Sequence, residues 1–497
     1  MVRKDKLFMI ISISLLVICI IGSTYALYKG ILSKNLEVNT TTHGLDYYIN
    51  YVKGNDINSS TLIPSTDYTG GSSSDIEFWK KDDTYDIYGK IELTVNTIGT
   101  NLSNSSALKY SVVNNGEVLS TGSLKGATTG SKITILENLY LETTRQIYTV
   151  YIWLDDNEEL GDISNESLSI SVDCTASMIP TSAAQKIINL YTNASKSTVT
   201  NNNITYNTAP SVGLMNDRLG GTTADLDGGN IRYYGANPNN YIYFNCSDYS
   251  NQSDSTCEKW RIIGVFDGKV KIMRESTIGS LAWDQDKNID SSLTTYDNDW
   301  TTSSLQILLN QKYYNGDTAG MVKYYSGASG DTSTNLNMSS KGIKNNATRR
   351  LISDTIYYLG GWEVNSIYSD QIYGYERGTT VYTGRPTTWT GKIALPYLSD
   401  YGYAADLGSC TKKLQSYNDS TCTSVNWIYS ILGTSKPWQL TPNSGSSSLA
   451  WYVGSSGGMS GNNTCAALGV VPVLYLNINI GIGLGSGTSS EPYRIIS

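Results

Sequence analysis

Histidine is almost missing from this 497-residue chain, His43 being the only one. Zinc clusters built on histidine and Ser-His-Asp triads therefore cannot be assembled in the rest of the molecule. Charge is scarce too, at 16% of residues, and the 36 basic side chains are outnumbered by 44 acidic ones. With a net charge of −8 and an isoelectric point near 4.9, the chain is unsuited to neutralising phosphates, so no nucleic-acid partner is expected. Phenylalanine is rare (4) beside tyrosine (38). Solubility has to come from uncharged Ser, Thr, Asn and Gly, a profile that fits a β-rich extracellular surface. At roughly 150 residues per domain, the length predicts two or three domains.

What is present begins at the N-terminus. Arg3, Lys4 and Lys6 precede an apolar run over residues 7–21, and no charge follows until Lys29. This charge order marks an exported segment, residues 1–28, with the C-terminal side translocated. Two fates stay open: cleavage after Thr24-Tyr25-Ala26 as a signal peptide, or retention as a transmembrane anchor, since residues 7–28 can cross a bilayer of ~30 Å. The last residues, SEPYRIIS, show no sorting motif with an apolar tail. Any membrane attachment is therefore expected through the N-terminal segment, and the protein is expected outside the cell.

Six cysteines follow the apolar segment: Cys174, Cys246, Cys257, Cys410, Cys422 and Cys465. Cys246 with Cys257, and Cys410 with Cys422, each bracket a short polar loop that closes at modest entropic cost, so two local disulfides are predicted. Zinc spacing of the C-x2-C kind is absent. Cys174 and Cys465 pair with each other or stay free.

From residue 29 to 175 the apolar period is two. Ile91, Leu93 and Val95 alternate with polar neighbours, as do Tyr148, Val150, Ile152 and Leu154, and then Leu168, Ile170 and Val172. Asn115-Gly116 reads as a hairpin turn, and a β-sandwich is predicted. Residues 176–215 read as a linker, with a short helical pattern at Ile187, Ile188 and Tyr191. Residues 216–497 read as an α+β domain. Asp267-Gly268 marks a second hairpin, Leu305, Leu308 and Leu309 share a helix face, and a second helix is predicted over residues 347–359, ended by Gly360.

Two resemblances are carried by these segments. GSTYALY (residues 22–28), NLEV (35–38) and YTVYIWLDDNEEL (148–160) resemble the export signal and sandwich of biofilm-matrix proteins of the TasA and camelysin type. WRIIGV (260–265), LNQKYYN (309–315), LPYLSDYGY (395–403), WQLTP (438–442) and VPVLYL (471–476) resemble, by their order, a family of uncharacterised surface proteins of Gram-positive bacteria. That family's domain is similar to the C-type-lectin-like fold shared with formylglycine-generating enzymes. The resemblance implies a multidomain chain with an N-terminal all-β sandwich and a C-type-lectin-like α+β domain. It implies no activity: the enzymes of that superfamily need a catalytic cysteine pair or a copper site, whereas both local cysteine pairs here lie in polar insert-like loops.

Asp284-x-Asp286-x-Asn288-x-Asp290 sets oxygen ligands at alternate positions, as in the first half of a calcium loop. Ile289 and Thr295 stand where an EF-hand needs glycine and glutamate, so only an irregular calcium site is considered, and no other cofactor is expected. Asp225-x-Asp227-Gly228-Gly229-Asn230 reads first as a turn, and the acidic group Asp155, Asp156, Glu158, Glu159 and Asp162 as a solvated loop. Long loops over residues 284–300, 324–346, 368–389 and 444–463 mix Tyr, Ser, Gly and Asn, a composition suited to recognition. Tyr373, Tyr375 and Trp389 are the candidate ligand contacts. The expectation is a non-enzymatic adhesion or recognition protein for an extracellular glycan or protein ligand. A polymerising TasA-like matrix subunit and a carbohydrate hydrolase are the alternatives.

Overall fold

Alternation is what builds the first unit. In Tyr88–Ile98 the side chains of Ile91, Leu93 and Val95 are buried while Lys90, Glu92 and Thr94 between them are half-buried. A pleated strand sends successive side chains to opposite faces, so this sequence supplies one apolar face. The computed structural model describes residues 30–31, 48–58, 62–158, 163, 166–177, 180–217 and 229–496. The N-terminal apolar run lies outside these residues. Among them, no helix is long and apolar enough to cross a membrane. The chain divides into two compact units: one runs to Thr181 and includes residues 481–486 and 496, the other comprises Ser182–Ile480 with residues 487–495.

The strands of the first unit are β1 (Gly30–Ile31), β2 (Ile49–Val52), β3 (Ile57–Asn58), β4 (Pro64–Ser65), β5 (Ser72–Lys80), β6 (Tyr88–Ile98), β7 (Leu108–Asn114), β8 (Glu117–Ser123), β9 (Lys132–Tyr140), β10 (Ile147–Asp155) and β11 (Leu168–Ser177). One sheet has the order β1-β11-β6-β9 with β3 on β11, and the other β2-β5-β10-β7-β8 with β4 on β10. Ile91, Leu93, Val95 and Val172 of the first sheet share one core with Ile76, Phe78, Val150 and Ile152 of the second. Asn115 and Gly116 take φ of 49° and 82° between β7 and β8, the positive values a tight hairpin turn requires. Asn138 Nδ2, buried, donates to the carbonyls of Thr181 (2.8 Å) and Ile482 (3.0 Å), tying in the returning segment.

The second unit begins where a linker was expected. Ser182 caps a helix, Ala183–Asn193, by accepting from Gln185 N, and Ile187 and Tyr191 are buried. Two strands follow, β12 (Ser197–Asn201) and β13 (Ile204–Ala209), turning through Asn202 and Asn203 at positive φ. Residues 182–216 are thus structured rather than spacer. Their Ser, Thr and Asn content marks an edge strand and its neighbour, where one face stays wet. With β14 (Leu214–Asn216), β15 (Ile231–Tyr233), β16 (Tyr241–Phe244), β17 (Glu258–Phe266) and β18 (Lys269–Arg274), the large sheet runs β12-β13-β14-β15-β17-β18, then Val473–Tyr475 and Ile393–Ala394, with β16 on β17. Asp267-Gly268 makes the β17–β18 turn, both residues at positive φ. At Gly264 a Cβ would lie 2.3 Å from the Ile231 carbonyl oxygen, so glycine there lets β15 approach β17.

The predicted leucine-faced helix forms as Ser304–Ile307 continuing into a wider turn, Leu308–Tyr313, with Leu305, Leu308 and Leu309 buried. The second predicted helix is corrected. Helix is confined to Asn346–Arg350, and Thr355–Tyr358 pairs as a strand with Thr388–Gly391. The run Thr355-Ile356-Tyr357-Tyr358 is β-branched and aromatic, and a waiting partner strand outweighs a helical period carried by few residues. The molecule is β-rich, with several separate sheets.

Candidate functional site

Three of the four predicted long loops converge, and each is pinned by a polar side chain, Asp284 and Asn298 buried and Arg385 half-buried. Asp284, 2% exposed, accepts from the backbone N–H of Asp297 (2.8 Å) and of Ser304 (2.9 Å), closing the loop between them. Burial pushes its carboxyl up to about 6. Buried Asn298 donates through Nδ2 to the carbonyls of Asn443 (2.9 Å), Ser446 (2.8 Å) and Leu449 (2.9 Å), fixing the loop after Pro442. Arg385 ties in the third loop. It donates to Asn298 Oδ1 and to the Ser447 carbonyl, both at 3.3 Å, and forms ion pairs with Asp297 (3.2 Å) and Asp299 (3.8 Å). The fourth loop becomes a hairpin of Met321–Ser326 with Thr332–Asn337.

Below these loops lies a tryptophan floor. Trp283 donates its indole N–H to the Gln439 carbonyl (3.2 Å). Trp283 meets Trp300 edge-on at 5.1 Å, and Trp300 meets Trp389 at 6.1 Å. Trp300 has an indole N–H with no acceptor among the described residues. A depression is lined by Trp283, Asn298, Trp300, Tyr382, Arg385 and Pro386, among others, and its cavity volume is about 10 Å³. That is room for about one water molecule. The arrangement presents a fixed, shallow surface on which Arg385 faces two aspartates, and Tyr382 at the rim is 36% exposed.

The candidate ligand contacts divide. Trp389 is half-buried, packed between Trp300 and Tyr357. Tyr375, also half-buried, stacks on Trp362 at 3.9 Å. Tyr373 is only 6% exposed. Its hydroxyl accepts from Asn230 Nδ2 (2.9 Å) and its ring lies 3.5 Å from the Arg377 guanidinium carbon, which places it in the core. The correction has a simple cause: Tyr373 lies on a helix, Ser369–Glu376, and faces inward with Ile372. Tyr382 and Arg385 were not singled out from sequence. The only signal for them was their position in a loop rich in Tyr, Thr and Gly.

The calcium candidates spend their oxygens separately. Asp286 pairs with the Thr295 hydroxyl, Asp290 accepts from Ser292 N (2.9 Å), and Asn288 clamps the neighbouring hairpin by accepting from Tyr325 N (2.6 Å). Among the described residues no group of three or more His, Cys, Asp or Glu lies close enough to hold a metal ion. Asp225, Asp227 and Gly228 lie outside the described residues, as do Glu159 and Asp162. Asp155 is instead engaged by Lys109, which also reaches Glu158 at 3.4 Å.

Cys246–Cys257 and Cys410–Cys422 are disulfide-bonded, while Cys174 and Cys465 are free and buried. The first bridge is not a polar excursion, because Tyr243 and Tyr249 pack on it.

The second unit also buries a set of charges that sequence reading did not flag. Arg232 pairs with Asp217 (2.5 Å) and with Asp400 (3.1 Å), whose other oxygen contacts Lys271. Beside them Glu376 accepts from Ser399 N (3.1 Å), the Ser399 hydroxyl (2.5 Å) and the Thr441 hydroxyl (2.7 Å). Burial raises the Glu376 carboxyl and lowers Lys271 to about 8. Burial also pushes the Asp400 carboxyl up, but Lys271 and Arg232 together outweigh it and hold it below the usual carboxylate range. No protein-family model matches the chain, and no curated protein matches it.

Proposed function

We propose that this protein is an extracellular recognition protein, with the loop face around Tyr382 and Arg385 as its binding surface. The observation that carries the reading is the convergence of three loops on one fixed face. Asp284, Asn298 and Arg385 hold those loops by side-chain hydrogen bonds to backbone groups, so little conformational entropy is left to lose on binding. A shallow face of Tyr382, Arg385 and Pro386 over a buried tryptophan floor suits the rim of a glycan or an extended polypeptide. The two disulfides are compatible with an oxidising, extracellular setting. In this reading the second unit has a C-type-lectin-like fold, the sandwich acts as a spacer or assembly module, and the N-terminal segment exports or anchors the chain.

The test is a glycan and protein array probed with the purified exported chain, followed by Tyr382→Ala and Arg385→Ala. Loss of the captured ligand in both variants, with unchanged melting of Tyr382→Ala, supports the face. Undiminished capture by both would move the site elsewhere.

A further inference from the structure

Among the Lys–Asp pairs of the described residues, one stands apart. In every other Lys–Asp pair at least one side chain keeps 23% or more of its surface exposed. In Lys271–Asp400 the two keep 0% and 1%. The partners come from distant places, Lys271 from β18 and Asp400 from the helix Leu398–Tyr403, 129 residues apart in sequence. Their contact is nonetheless direct, Nζ against Oδ2. Aromatic rings enclose the amine, with the Tyr397 centroid at 4.3 Å and those of Phe266 and Tyr475 both at 5.5 Å. Both side chains are shut off from the bulk solvent, and the amine is held directly against the carboxylate.

We propose that Lys271 and Asp400 condense into an intramolecular amide, a covalent cross-link between β18 and the Leu398–Tyr403 helix. The step needs no outside reactant. Lys271 passes a proton to Asp400 across their contact, leaving a neutral amine and a carboxylic acid. The amine lone pair attacks Asp400 Cγ, and negative charge develops on Oδ1. Arg232 Nη1, 3.1 Å from that oxygen, is placed to stabilise it, as fixed donors stabilise the oxyanion in acyl transfer. The Cγ–Oδ2 bond then breaks, and Oδ2 leaves with two protons as water. One C–N bond forms, one C–O bond breaks, one water is released, and no atom changes oxidation state.

Two features favour the product. Holding amine and acyl carbon in contact replaces a bimolecular encounter with an intramolecular one, worth effective concentrations of ~10⁵–10⁸ M in well-oriented systems. The product also removes two charges from a buried site, where each ion carries a desolvation cost. What remains stays balanced, because Arg232 keeps Asp217 (2.5 Å) and Arg377 keeps Glu376 (3.6 Å). Burial lowers Lys271 to about 8, while Lys271 and Arg232 hold Asp400 below the usual carboxylate range, so the proton transfer is the uphill part of the step and the contact geometry carries the rest. Glu376 acts as a positioning residue: its bonds to Ser399 N and Oγ hold the turn that presents Asp400.

Peptide mapping of the purified exported chain, denatured, reduced and digested with trypsin, tests this directly. The expected product is a branched peptide in which Val270 to Arg274, uncleaved after Lys271, is joined to residues 393–412. Its mass should be lighter than the sum of the two peptides by one water. Fragmentation should place the link at Lys271 and Asp400, and Lys271→Met should abolish it. Recovery of separate peptides ending at Lys271 and at Arg274, with residues 393–412 unmodified, would overturn the proposal. A branch mapped to another lysine or aspartate would overturn it as well. The wild-type protein alone decides, so the result does not depend on any variant folding.

Discussion

The two units solve the same problem with different means. The sandwich buries Ile, Leu and Val on two alternating strand faces, and its one described cysteine, Cys174, is free. The second unit buries tryptophans, tyrosines and a chain of ions, and holds both disulfides. The first is a core that any sequence of the right period and volume could fill. The second uses loops as much as strands, so its backbone groups need side-chain partners such as Asn298 and Asp284. The lesson is that a loop-rich unit uses directional interactions where a strand-rich one uses area. Directional interactions are also the ones that leave defined chemistry behind.

The sharpest way to break this contrast is Asp400→Ala. Removing the Asp400 side chain leaves Lys271 without its partner at a buried position, while Arg232 keeps Asp217, and should destabilise the second unit by about 3–5 kcal/mol with the sandwich transition staying in place. Urea unfolding of the full chain, followed by tryptophan and far-UV signals, reads both transitions. A loss below ~1 kcal/mol would mean that the site is wetter than its burial implies.

Next comes reduction. Replacing Cys246 and Cys257 together with serine should cost the second unit about 3 kcal/mol by releasing a loop closed over a separation of 11 residues. Dithiothreitol should shift the same transition in the wild type and leave the sandwich unmoved. A sandwich that responds to reductant would contradict a free Cys174.

A smaller effect is expected from Asp284. Its folded pKa of about 6 lies above the unfolded value of ~3.9. Its protonated form therefore favours the fold: the contribution is full below pH ~4 and is lost as pH rises through 6, by up to about 3 kcal/mol. Melting curves of wild type and Asp284→Asn between pH 4 and 7 should diverge over that window, with the wild type losing ground as pH rises. Parallel curves would show that Asp284 does not titrate there.

The smallest effect belongs to the rim. Tyr382→Ala should change stability by less than about 0.5 kcal/mol, whereas Trp300→Ala, on the buried floor, should cost about 3–5 kcal/mol. Thermal melts of the two variants separate surface from floor.

Much of the strand architecture was legible because its signals are local. Ile91, Leu93 and Val95 alternate, and Asn115-Gly116 and Asp267-Gly268 occupy positive-φ turns. Both disulfides followed from short spacing. The helix expected over residues 347–359 failed at Thr355–Tyr358, where a partner strand 33 residues away decided the outcome. The region read as linker failed for a related reason: β12 and β13 carry little apolar content and are strands because a sheet receives them. Tyr373 looked like loop chemistry and is core because Asn230 reaches it from a distant segment and Arg377, at the end of its own helix, covers its ring.

The sequence by itself therefore determined what depends on near neighbours: the period-two strands, the tight turns, the cysteine pairs, and the basic and apolar order of the first residues. Tertiary structure alone decided which loops meet and which charges are buried. Lys271 illustrates the division. Within β18 it alternates with Val270 and Ile272 and reads as the wet face of a strand, yet that whole strand interior is buried. A sheet covered on both faces has no wet side. A lysine there must meet its counter-ion, and Asp400 is brought to it only by the folding of a segment 129 residues away.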